Sequence, residues 1–311
     1  MNVDGRSFHF IGDPHLGKDF NLHAPIHRRG ERAVKQLAQF ENEHYVPAEV
    51  IIQVGDLFDH PMVSREIIKN AADICLEAAE HQGNKLFVHM AGNHDRSRSR
   101  ATGAWELFKG IVSQRVSNLM VVDQPTVIDR IALFPWEWDK TAEQQLLEVP
   151  SGPVELAVGH WDLKSFNGNT DHLCPVSGII SRLKCDKIVS GHYHKAGVYQ
   201  IDGVEVICTG SMQPYAHGEG DMYVTLSLTE ALSRDDLVDK CVRLVLEPGE
   251  DPPDLDCLAL TWQRNRPEST EVDDPQADEG FDFQTKIKEV VAAQTPEVAT
   301  FIRDRLYVDE H

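Results

Sequence analysis

The chain has 311 residues, 26% of them charged and 41% hydrophobic, with a formal net charge of −20. That length suits one large domain plus an appendage, and the acidity excludes a protein that grips nucleic acid by overall charge alone, without local basic patches or a partner. No apolar run approaches membrane-spanning length, the start lacks a signal peptide's layout, and six cysteines without a Cys-x-x-Cys pair fit small core residues in a reducing cytoplasm, so a cytoplasmic protein without a thiolate metal site is expected.

The first apolar run, Phe8-His9-Phe10-Ile11, leads into Gly12-Asp13-Pro14-His15. An irregular loop from Gly17 to Gly30 follows, carrying Lys18, His23, His27, Arg28 and Arg29. The spacing of Val34, Leu37, Ala38 and Phe40 predicts a helix from Glu31 to Glu43. The β-branched run Val50-Ile51-Ile52-Gln53-Val54 reads as a buried strand that ends in Gly55-Asp56-Leu57-Phe58-Asp59. Ser64 is placed to cap a second helix reaching about His81, with Gly83 closing it. The run Leu86 to Met90 then delivers Ala91-Gly92-Asn93-His94-Asp95. Strand, helix, strand, helix, strand is the pattern of a layered α/β domain.

Arg96, Arg98 and Arg100 alternate with serines just beyond that cluster, where phosphate contact is as reasonable as a solvated loop. A short helix is expected from Trp105 to Phe108, then strands from Asn118 to Val122, Thr126 to Ile128 and Arg130 to Phe134. For Trp136 and Trp138 the favoured reading is packing beneath a loop rather than base stacking. Leu156-Ala157-Val158 runs into Gly159-His160, and Lys187-Ile188-Val189 into Ser190-Gly191-His192-Tyr193-His194. From about Val198 the pattern reads as all-β, with a hairpin turned at Asp202-Gly203 and strands from Met222 to Leu228 and Cys241 to Leu246. From Glu230 onward 21 acidic residues face 9 basic ones, so much of the acidity lies in the tail. Residues 264–280 read as a polar linker. It leads to two amphipathic helices carrying Phe283, Ile287, Val290, Phe301, Ile302 and Leu306, which cannot bury their apolar faces alone.

Five apolar runs thus each deliver Asp, Asn or His just past a small residue. In open α/β sheets ligands bind at the carboxyl ends of strands. Asp13, His15, Asp56, Asn93, His160, His192 and His194 form a set of oxygen and imidazole donors suited to Mn²⁺, Fe²⁺ or Zn²⁺ rather than Ca²⁺. Seven ligands exceed the needs of one ion; two ions sharing a carboxylate would use them all.

In order, the motifs DPH, GDLFD, GNHD, GH and GHYH resemble those of the calcineurin-like metallophosphoesterases. DPHLG with GDLFD resembles the SbcD-type double-strand-break-repair nucleases. VGHWDL, SGHYH, FPW and the ending FIRDRLYVDE resemble phage recombination endonuclease nuclease subunits. The resemblance implies an α/β fold, a layered β-sandwich with flanking helices. A nuclease domain would cover residues 1–228, a reduced capping region 229–263, an acidic linker 264–280 and a helical segment 281–311. It implies that Asp13, His15 and His194 hold one divalent ion, that Asn93, His160 and His192 hold the other, and that Asp56 bridges them, with Mn²⁺ the expected metal. His94 would act at the leaving oxygen and Asp95 would support it. Asp59 stands where some members have a histidine, with His60 beside it. The activity implied is Mn²⁺-dependent exonuclease and endonuclease cleavage of DNA, in recombination and repair. Arg96, Arg98, Arg100, Lys18, Arg28 and Arg29 are candidate DNA contacts. The partners implied are an SbcC-type coiled-coil ATPase, docked through Phe281 to Tyr307, and a second copy of the chain. A phosphodiesterase or phosphatase for small molecules, and a scaffold that binds DNA and ATPase without cleaving, are the rival readings.

Overall fold

The computed structural model describes residues 1–18, 24–98, 102–163, 171–215 and 220–265. His23, Arg100, nearly all of the linker and the expected docking helices lie outside these residues. The described residues all belong to one unit, Met1–Asn265.

The first sheet has strands β1 (Asn2–Val3), β2 (Arg6–Ile11), β3 (Val50–Gln53), β4 (Leu86–Met90) and β5 (Leu119–Val122), in that spatial order. Helices α1 (Glu31–Glu43), α2 (Arg65–His81) and α3 (Ala104–Val112) connect them, and β2 to β5 are parallel. The second sheet draws on β6 (Thr126–Ile128), β7 (Ile131–Phe134), β8 (Leu156–Gly159), β9 (Ile188–Ser190), β10 (Gly197–Ile201) and β11 (Val204–Cys208), in the order β10-β11-β9-β8-β7-β6. Helices α4 (Ala142–Glu148) and α5 (Val176–Leu183) belong to this half.

Alternation along each strand sorts the side chains into layers. Val50, Ile52 and Val54 meet Val88, Met90, Leu133, Val158 and Val189 in a core between the two sheets. Ile51 and Phe87 point the other way, onto Phe40, Ala71, Cys75 and Phe108 of the helices. Ala132, Ala157 and Phe134 do the same on the far face, against Leu146 and Ile179. The result is a sandwich of two sheets with helices outside each, the α/β layered architecture expected. Each fully buried Val, Leu, Ile, Phe or Met side chain in it contributes roughly 1.5–3 kcal/mol.

A third sheet is built from β12 (Tyr223–Ser227), β13 (Cys241–Leu246) and β14 (Ala259–Arg264), all parallel. The all-β reading of this region needs one correction. Between β12 and β13 lies α6 (Leu228–Leu232), started by a reciprocal cap: the Glu230 amide donates to Ser227 Oγ, and the Ser227 amide donates to the Glu230 carboxylate.

The layer between the first sheet and its helices holds two buried histidines. The His44 Nδ1–H donates to the Phe40 carbonyl at 2.7 Å, and Nε2 lies 3.7 Å from Cys75 Sγ. His89 stacks on His44 with ring centroids 5.3 Å apart, and its Nδ1 is buried without a hydrogen bond among the described residues. Burial lowers His44 to about 4 and holds His89 well below the usual histidine range. Both therefore bind protons more readily in the unfolded chain, and stability falls as pH drops through about 6.5. At pH 5 the loss is about 2 kcal/mol for each histidine. Urea unfolding in chelator at pH 7.5 and pH 5 checks this: a His44→Gln, His89→Gln double variant should show the flatter pH dependence, and a slope equal to the parent's would contradict it.

Candidate metal centre

The carboxyl ends of β2, β3, β4, β8 and β9 meet at one edge of the sandwich. All seven residues proposed from the motifs are brought together there. Asp13, His15, Asp56 and His194 form one group whose ligand atoms lie within 4.8 Å of one another; Asp56, His160 and His192 form another. Asp56 belongs to both. The Asn93 Oδ1 accepts from His160 Nε2 and His192 Nδ1, each at 2.9 Å. Asp13, His15, Asp56 and His160 are buried, while the side chains of His192 and His194 keep 24% and 20% of their exposure. The cluster is therefore reachable from one side.

Close packing explains the small residues that precede the ligands. A Cβ on Gly92 would stand 2.1 Å from Asp56 Oδ1, and one on Gly55 would stand 2.1 Å from His160 Nδ1. His15, Asp56 and His192 have φ of 46°, 51° and 71°, a left-handed backbone uncommon for residues with a Cβ. Such strain persists only where the surroundings fix it, and it gathers at functional sites.

The surroundings are specific. The His160 Nδ1–H donates to the Val54 carbonyl at 3.0 Å, which turns Nε2 into the cluster. His192 Nε2 pairs with Asp162 at 2.8 Å, which turns Nδ1 toward Asn93. The Gln36 amide on α1 donates to the carbonyls of Pro14 and His15, holding the first ligand loop. Asp162 and Gln36 were not singled out as site residues; one lies two residues past His160, the other shares the buried face of α1 with Arg32 and Phe40.

A family model described as calcineurin-like phosphoesterase matches residues 6–196. The chain belongs to that family. A search of curated proteins gave no match. Family and geometry together make the chain a metal-dependent phosphoester hydrolase.

The residues present fit divalent ions. Asp13 Oδ1, Asp56 Oδ2 and His15 Nδ1 are buried and carry no hydrogen bond among the described residues. Asp56 Oδ2 faces His160 Nε2 at 3.3 Å and His15 Nε2 at 3.8 Å, and two imidazole nitrogens, of His15 and His194, stand 3.0 Å apart. Buried carboxylates and converging lone pairs are costly unless a cation joins them. Burial pushes the Asp13 carboxyl up to about 7, against the pull of His160. Burial also lowers His15, to about 3. For His160 burial acts downward too, but the Asp56 carboxylate overcomes it and drives the imidazole up to about 9. Burial works to raise Asp56, and His160 holds it well below the usual carboxylate range.

Other expected roles are redistributed. Asp95 was expected to support His94. Instead it accepts from the backbone amides of Gly92, Leu57 and Phe58, tying the Asn93 loop to the Asp56 loop. The His94 Nδ1–H donates at 2.7 Å to the Asp59 carbonyl, so Asp59 supports His94 through its backbone. The Asp59 carboxylate accepts from the Tyr215 hydroxyl, which in turn accepts from Lys18 at 2.7 Å. Arg28 was expected to contact DNA, but it is bound to Glu31 and to the Val238 carbonyl and lies near Asp239 and Asp256, a bridge to the third-sheet region. Arg96 leans on Glu106 and the Asp123 carbonyl. Arg98 and Arg29 are exposed, and His60 sits in a turn with its Nδ1 accepting from the Met62 amide.

Two outcomes follow. Metal must displace protons from Asp13 and His160, so Mn²⁺ affinity should fall as pH drops from 8 to 6, by at least about tenfold; titration calorimetry at both values checks it, and equal affinities would contradict it. Asp162→Ala should weaken binding at the His192 group by about 10- to 100-fold while leaving the Asp13 group intact, seen as one weakened step in a two-step titration.

Proposed function

We propose that the chain is a divalent-metal-dependent DNA nuclease, with Mn²⁺ the expected ion, serving as the nuclease subunit of an SbcC-type ATPase complex in recombination and repair. The placement of cations on both flanks of the metal cluster carries the nucleic-acid reading. On one flank Lys18 reaches Tyr215, whose ring lies 4.5 Å from that of His15 and 4.8 Å from that of His194. On the other flank Arg98 lies over Trp138, Trp138 meets Trp136, and Trp136 meets His192. A phosphomonoester needs one anion pocket. A polymer passing through the site needs contacts on either side of the bond that is cut, to its backbone or to its bases.

When bound, divalent ions supply charge neutralisation at the phosphoryl oxygens and a lowered pKa for the attacking water. The chain supplies orientation and a proton. Asp13, Asp56, Asn93 and the four candidate ligand histidines would hold the ions at the sandwich edge, which sets where the phosphate lies. His94 stands beside the His15 ring, with centroids 4.8 Å apart. Its Nδ1–H is committed to the Asp59 carbonyl. That bond occupies Nδ1 and leaves Nε2 as the nitrogen that can pass a proton to the departing oxygen.

The motif resemblance supports the ATPase partnership through residues 281–307 and the homodimer, and six cysteines without a Cys-x-x-Cys pair support a cytoplasmic location. The complete ligand set favours cleavage over a non-cleaving scaffold.

His94→Gln should reduce Mn²⁺-dependent digestion of linear DNA by about 10²- to 10⁴-fold while retaining both ions in metal analysis; loss of an ion would make His94 a ligand instead. Removing residues 281–311 should leave Mn²⁺-dependent digestion intact and abolish co-purification with the ATPase. A truncated protein that still binds the ATPase would sink the docking assignment.

A further inference from the structure

Beside the His160–His192 group lies a cleft of about 270 Å³, lined among others by Arg98, Trp136, Trp138, Lys140, Gln144 and His172. We propose that this cleft takes one unpaired nucleobase of the strand being cut, next to the scissile phosphate. The proposal rests on the reading of the substrate as nucleic acid.

Position is the first reason. Trp136 follows the end of β7, and its amide donates to the Ala91 carbonyl at 2.9 Å, which fastens it to the loop bearing Asn93. Its ring lies 5.0 Å from that of His192 and 6.1 Å from that of His160. Trp136 is thus a wall shared by the cleft and the metal cluster.

Chemistry is the second. Trp136 is buried and stacked on His172, with centroids 3.7 Å apart and planes 25° apart, as the packing reading expected. Trp138 differs. It is only half-buried and meets Trp136 edge-on at 5.6 Å. Its indole N–H donates to the Arg96 carbonyl at 3.2 Å, and the Arg98 guanidinium lies 4.8 Å from its ring centre. An anchored aromatic ring with a guanidinium at hand is the platform on which single-stranded bases stack.

The lining also selects against a phosphate. Asp139 and Asp171 face the same cleft, and Lys140 is already paired with Glu137 and Glu148. A neutral ring with polar edges suits these walls better than an anion does. The volume of about 270 Å³ admits one base, and stacking on Trp138 needs that base to expose a face. A duplex must therefore fray or turn out a nucleotide to use the cleft, which is cheapest at an end or a mismatch.

A full-length protein assay with short single-stranded oligonucleotides tests this. An abasic residue beside the scissile phosphate should lower kcat/KM of the parent at least tenfold. Trp138→Ala should cut the intact and abasic strands alike, and Trp138→Phe should restore most of the discrimination. A Trp138→Phe protein that behaves like Trp138→Ala would show that only the indole anchor to Arg96 matters, and the proposal would fall. So would a parent that cuts both strands equally. If the parent cleaves bis-p-nitrophenyl phosphate but no oligonucleotide, the nucleic-acid reading fails separately. The cleft is then probed with 2-aminopurine deoxyribonucleoside: saturable quenching lost in Trp138→Ala would assign the cleft to a free nucleotide, and absence of quenching in the parent would overturn it.

Discussion

The site depends on one carboxylate. Asp56 sits three residues past β3, with φ of 51° and 1% exposure. It belongs to both candidate ligand groups, so how a metal could be held at this edge rests on where that side chain points. Its Oδ1 accepts from the His94 amide at 2.8 Å, leaving Oδ2 turned toward the histidines. That arrangement needs Gly92 and Gly55 against it, because any larger residue at either place would occupy the space of Asp56 or His160. The strained backbone at Asp56 is therefore not free to relax while the sheets stay packed.

What keeps it in place is backbone hydrogen bonding from neighbouring loops. Asp95 binds amides on both the Asp56 and Asn93 loops, and Gln36 ties the first ligand loop to α1. The amides of His15 and Leu16 donate to the Asp56 and Leu57 carbonyls, joining the first two loops directly. The candidate ligands are thus held by a mesh of bonds between their loops, and fixed groups of this kind are the condition for electrostatic stabilisation without reorganisation. The same mesh carries His94, whose ring is held by the Asp59 carbonyl. A change at Asp59 would be felt through that backbone and through Tyr215 more than through a carboxylate acting on substrate.

Much of this was legible in the sequence because the fold repeats one local pattern. Apolar runs such as Val50–Gln53 and Leu86–Met90 are buried on both faces, and a parallel sheet delivers their carboxyl ends to one edge. The clustering of the candidate ligands follows from that pattern, while the helices Glu31–Glu43 and Arg65–His81 were read from apolar spacing and a cap and the hairpin from Asp202-Gly203. The partners of those ligands were not legible, because hydrogen bonds such as Asp95 to Phe58 join residues 37 apart and leave no periodic trace. Arg28 illustrates the same limit: its charge suggested DNA, but only the folded chain brings it to Val238 and Asp239. The short helices α4 and α6 were a different kind of omission. Thr141-x-x-Gln144 and Ser227-x-x-Glu230 are capping boxes readable in the chain, but each opens a helix too short to show an apolar stripe.

The most direct test of the shared carboxylate is the metal stoichiometry and affinity of Asp56→Asn. Asparagine keeps the shape and tolerates the left-handed backbone, so the fold should survive, checked by its melting in chelator. If Asp56 serves both groups, Mn²⁺ titration should show both sites weakened together. Retention of one ion at the parent's affinity would contradict the account.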